Sequence, residues 1–96
     1  MPRKIRKSVK AIIETCYLTK NEIVKVSKMC MQAKIDFVKT STGFGTAGAN
    51  LDDVKMIYDI VKGCCGVNAS GGIRTREDAI KFLNIGASRI GTSHIL

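Results

Sequence analysis

A chain of 96 residues, 45% hydrophobic and 25% charged, has the makings of one globular unit near the small end of what supports its own core. Its longest apolar runs are a few residues, too short to cross a bilayer, and the basic start Met1-Pro2-Arg3-Lys4-Ile5-Arg6-Lys7-Ser8 lacks the apolar stretch of a secretory signal, so a reducing cytoplasm is expected. Net charge is +8, with Arg3, Lys4, Arg6, Lys7 and Lys10 all in the first ten residues; residues 1–8 read as a solvated basic leader and 9–96 as the folded domain.

The few aromatic residues do not interleave with basic ones as a nucleic-acid stacking platform would, so nucleic acid is not the expected partner. A mildly positive domain instead suits an enzyme acting on a phosphate ester. Cys16, Cys30, Cys64 and Cys65 show no Cys-x-x-Cys spacing, and His94 is the sole histidine, so buried or half-buried free thiols are expected rather than a zinc site, the alternative being a strained vicinal disulfide between Cys64 and Cys65.

In chain order, hydrophobic periodicity predicts a strand over Val9 to Thr15, ending in Glu14-Thr15-Cys16. A helix follows, capped by Thr19 with Glu22 three residues on, its apolar stripe running Ile23, Val26, Cys30, Ala33. The second strand, Asp36 to Ser41, runs into Lys39-Thr40-Ser41-Thr42-Gly43. Asn50 with Asp53 opens the second helix, with Val54, Ile57, Tyr58 and Val61 on its buried side and Gly63 as its stop. The third strand, Gly66 to Ala69, leads into Ser70-Gly71-Gly72-Ile73-Arg74-Thr75; Thr75 with Asp78 opens the last helix, carrying Ala79, Phe82 and Leu83 and stopped by Gly86. A fourth strand spans Ser88 to Thr92. Repeated βα units of this kind build a parallel sheet with right-handed crossovers, whose ligands bind at the C-terminal strand ends.

The unusual chemistry gathers at those ends. Strand alternation puts Lys39 on one face with Phe37 and Ile35, where apolar neighbours are expected to lower its proton affinity and make it a nucleophile. The alternative is a strand-end lysine that snorkels to water. Two turns suit phosphate: Ser70-Gly71-Gly72-Ile73-Arg74-Thr75 combines two glycines, an arginine and a helix start, and Gly91-Thr92-Ser93 lies at the next strand end. Otherwise these glycines serve only to make tight βα turns.

Four segments, Ile13-Glu14-Thr15-Cys16, Asp36-Phe37-Val38-Lys39-Thr40-Ser41-Thr42-Gly43-Phe44, Ala69-Ser70-Gly71-Gly72-Ile73-Arg74-Thr75 and Arg89-Ile90-Gly91-Thr92-Ser93, together resemble deoxyribose-phosphate aldolase. They occur in that family's order and approximate spacing, from about Val9 to Ser93. The resemblance implies an α/β fold of parallel βα units, the second half (strands 5 to 8) of a (βα)8 TIM barrel and incomplete on its own. It implies reversible cleavage of 2-deoxy-D-ribose 5-phosphate to glyceraldehyde 3-phosphate and acetaldehyde through a lysine Schiff base, with neither metal nor cofactor. Lys39 matches the Schiff-base lysine, and Thr42, Gly43, Gly71, Gly72, Ile73, Arg74, Gly91 and Ser93 match the residues around the substrate and its phosphate.

Two departures qualify what is carried over. Asn68 stands where the family has a second lysine whose charge lowers the pKa of the first, and the first four βα units have no counterpart here. Four barrel strands cannot close, so the open edges and inner face call for a homo-oligomer or a partner supplying the other half of the barrel. The contrasting reading is an inactive fragment that keeps a phosphate-binding rim or serves as an association surface.

Overall fold

Each helix begins where a side-chain oxygen satisfies an amide that the helix leaves unpaired. The computed structural model, which describes residues 8–42 and 47–92, opens α1 (Lys20–Gln32) with a reciprocal box: Thr19 Oγ1 accepts from the Glu22 amide at 3.1 Å, and Glu22 accepts from the Thr19 amide at 2.8 Å. At α2 (Leu51–Val61) Asn50 Oδ1 accepts from the Asp53 amide at 2.8 Å, and at α3 (Arg76–Asn84) Thr75 Oγ1 accepts from the Asp78 amide at 3.1 Å. All three starts fall where the residue spacing predicts. The Asp53 carboxylate does not reach back to the cap backbone; it takes the Asn50 side-chain amide and an ion pair from Lys20, which ties α2 to α1.

The helix ends are left-handed, as expected at Gly63 (φ 82°) and Gly86 (φ 122°). A Cβ on Gly86 would lie 2.3 Å from the Tyr58 ring, so glycine is also what lets the end of α3 rest on α2. Lys34 performs the same role after α1 with φ 57°, where the Ile35 amide donates to the Cys30 carbonyl at 3.1 Å.

Four strands, β1 (Lys10–Ile12), β2 (Phe37–Lys39), β3 (Gly66–Ser70) and β4 (Arg89–Gly91), form one parallel sheet in sequential order. With every crossover of one hand, the three helices pack on one face. Ala11, Val38 and Val67 share a row on that side and meet the core of Ile23, Val54, Ile57, Val61 and Phe82. The strands are mostly shorter than their apolar runs: β1 stops at Ile12 because Glu14 turns left-handed and Thr15–Tyr17 form a 3-10 turn. Ala33 is exposed at the end of α1 and Leu83 is 46% exposed, while Ser27 is fully buried, so the α1 stripe is Ile23, Ser27 and Cys30 with Val26 partly buried against the core. Among the described residues no helix is long and apolar enough to cross a membrane. None of the four cysteines is in a disulfide; Cys30 is buried and Cys16 and Cys65 partly so, but Cys64 is exposed, contrary to expectation. Burial pushes the Cys30 and Cys65 thiols up from their ordinary pKa.

Candidate active site at the strand ends

Lys39 closes β2 on the face that the helices leave uncovered, and it is partly exposed. In register its neighbours are Ile12 of β1 and Asn68 of β3, and Asn68 in turn pairs with Arg89 of β4. Phe37 shares this face, as alternation predicts, with the Arg89 guanidinium 4.2 Å over its ring. Ile35 does not: it precedes β2 and packs against the helix-side core, so the apolar neighbour beside Lys39 is Ile12. No described residue forms an ion pair or hydrogen bond with the Lys39 amine. Asn68 is 5% exposed, and its carbonyl oxygen has no hydrogen-bond partner among the described residues. A buried acceptor left open costs free energy unless a donor reaches it.

Just beyond Lys39 the hydroxyl residues lock two strand ends together. Thr40 Oγ1 donates to the Ser70 carbonyl and accepts from the Ser70 amide, both at 3.1 Å. Ser70 Oγ donates to the Ser41 carbonyl at 2.6 Å and accepts from the Ser41 amide at 3.4 Å. Thr40, Ser41 and Ser70 are all buried, so these bonds hold the rim rather than offering groups to a ligand. Their role is visible in sequence only as a run of hydroxyl residues at a strand end.

The turn after β3 is shaped by glycine. Gly71 (φ 86°) and Gly72 (φ 74°) both occupy the left-handed region, and their amides donate to no described residue. Ala49 donates to the Ser70 and Gly71 carbonyls at 3.0 and 3.1 Å, bringing the segment before α2 onto this turn. A Cβ on Gly48 would sit 2.0 Å from the Gly71 oxygen, so no other residue fits there. Successive unpaired amides beside a helix start form a concavity suited to an anion.

The predicted site residues separate into groups. Lys39 and Asn68 are adjacent; Gly71 and Gly72 lie three and four residues beyond Asn68; Gly91 pairs with Ser70, and a Cβ there would approach Asn68 Oδ1 to 3.5 Å. Thr42 is exposed on the rim, its amide donating to Glu14 Oε1, and Arg74 is exposed. The Ile73 side chain is core, 2% exposed, and its carbonyl accepts from Thr92 Oγ1 at 2.6 Å, so Ile73 faces away from a ligand and can offer only its amide. Gly43 and Ser93 lie outside the described residues. Glu14, whose left-handed backbone turns its carboxylate onto the Thr42 amide, is the rim residue that alternation alone does not find.

No family model matches the chain. Over 85 residues it is 51% identical to a deoxyribose-phosphate aldolase of Mycoplasma capricolum, a match covering 88% of this chain and 38% of that protein. Across this stretch the chain is homologous to the deoxyribose-phosphate aldolases. A solved structure described as "QR15, an Aldolase" superposes with a TM-score of 0.84 at 50% identity, covering 88% of this chain and 38% of the other. The deoxyribose phosphate aldolase from Aeropyrum pernix, described as tetrameric, gives a TM-score of 0.80 at 37% identity, covering 90% and 37%. The chain thus spans a little over a third of the length of these aldolases, and its four parallel strands with the three α-helices between them form part of a TIM barrel.

Proposed function

We propose that this chain carries the Schiff-base and phosphate-holding part of a deoxyribose-phosphate aldolase site, acting on a phosphorylated sugar in the cytoplasm without metal or cofactor. One observation carries the reading: register brings Lys39, the homologue of the Schiff-base lysine, next to the strand whose end makes the left-handed Gly71-Gly72 turn. In this reading the neutral Lys39 amine adds to an aldehyde carbonyl and water leaves, giving an iminium that draws electrons from the carbon-carbon bond being broken. The Gly71 and Gly72 amides, the Ile73 amide, Arg74, Thr42 and Gly43, with Gly91 and Ser93 on the neighbouring strand end, hold the phosphate. The uncovered sheet face takes further βα units, from a second copy or another polypeptide segment.

Borohydride reduction with acetaldehyde, followed by peptide mass spectrometry, should place one adduct on Lys39 and none in Lys39→Arg. Labelling scattered over many lysines, or no labelling, would sink the catalytic assignment. Asn68 supports a second reading, in which the rim binds phosphate without turnover, because an amide cannot repel the ammonium beside it as a lysine would. Asn68→Lys should raise adduct formation at neutral pH in the first reading and leave it unchanged in the second.

A further inference from the structure

One rim carboxylate has no part in that chemistry so far. The Ile13 amide donates to the Lys39 carbonyl at 3.1 Å, and the Thr15 amide donates to the Thr40 carbonyl at 3.0 Å. Successive donors in a regular parallel ladder advance two residues on both strands. Here the ladder advances two on the β1 side and one on the β2 side, and the extra residue is Glu14. It sits at φ 52°, ψ 67°, in the left-handed region that glycine or asparagine would occupy at less steric cost. A bulge of this kind re-aims the side chain it carries. Glu14 Oε1 therefore reaches across the rim to accept from the amide of Thr42, three residues beyond Lys39, while Oε2 is buried and finds no donor among the described residues.

We propose that Glu14 is a positioning residue, whose bulge-held carboxylate fixes the turn after Lys39 so that a phosphorylated aldehyde is held with its carbonyl within reach of that lysine. The inference rests on the aldolase reading and adds a residue to it. A carboxylate would repel a phosphate dianion, so Glu14 acts through the Thr42 amide and does not touch the anion. A charge-assisted bond of this type is about twice as strong as a neutral one, which suits a turn that has to be rigid.

The test uses the whole chain and compares borohydride trapping at Lys39 by 2-deoxy-D-ribose 5-phosphate and by 2-deoxy-D-ribose. The wild type should prefer the phosphorylated aldehyde by roughly tenfold or more. Glu14→Ala should bring that preference to within about twofold, and Glu14→Gln, which keeps an acceptor oxygen, should restore it. Thr42→Pro, which removes the donor and leaves the carboxylate, should reproduce the loss and decides the matter where Glu14→Ala fails to fold. An unchanged preference in Glu14→Ala or Thr42→Pro, or an equal loss for both aldehydes, overturns the role of Glu14 alone. Absence of any Lys39 adduct in the wild type overturns the aldolase reading, and this inference with it.

Discussion

On the helix side of the sheet Val38, Val67 and Ala69 are fully buried, whereas on the opposite side Ile12 is 49% exposed and Lys10 and Arg89 are exposed. The two faces come from alternate residues of the same short strands, so a single register assigns one set to the core and the other to chemistry. The helix face holds apolar side chains in mutual contact and carries the cohesion of the fold. The other face brings Lys39, Asn68 and Arg89 into one row, a poor arrangement for stability but the one the proposed aldolase site requires. Site and core can therefore be changed separately.

The sharpest way to break this contrast is Ile57→Ala. Ile57 is fully buried between α2 and the sheet core, and truncation should cost about 2–5 kcal/mol in a denaturant titration. A cost below about 1 kcal/mol would mean that the helix side is loosely packed.

A smaller effect follows from pH. The Cys30 thiol is raised by burial and the Lys20 ammonium by its hydrogen bond to Asp53, so both groups hold their protons more tightly in the folded chain than in the unfolded one. Their contributions are complete below the unfolded values and are lost as pH rises through the higher folded values. Urea midpoints should fall between about pH 8 and pH 11, and Cys30→Ala should flatten part of that fall. A profile that rises over this range would contradict the assignment.

The smallest change is expected on the open face. Ile12→Ser should shift stability by no more than about 0.5 kcal/mol, because that side chain is already half in water. A loss comparable to that of Ile57→Ala, growing with protein concentration, would show that another surface covers this face in solution.

Much of the fold was legible because its signals are local. Thr19, Asn50 and Thr75 each lie three residues before an acid, and a cap needs nothing beyond its own first turn. Gly63 and Gly86 were readable for the same reason, but Lys34 was not, since nothing in its composition marks a lysine as left-handed. Periodicity placed Lys39 at a strand end yet misplaced Ile35, because β2 begins only at Phe37 and the residues before it turn toward the core. The resemblance places Ile73 at the phosphate without saying which of its atoms would serve; its side chain is in the core, which leaves the amide, and no local pattern distinguishes the two.

By itself the sequence determined the order of βα units, the helix starts, the aldolase resemblance and the candidacy of Lys39, all properties of short windows of chain. Only the tertiary structure decided which residues flank that lysine. Ile12 and Asn68 flank it from two other strands through register, and Glu14 reaches the Thr42 amide three residues further on through a one-residue bulge. Those depend on hydrogen bonds between segments more than twenty residues apart, which no local pattern encodes.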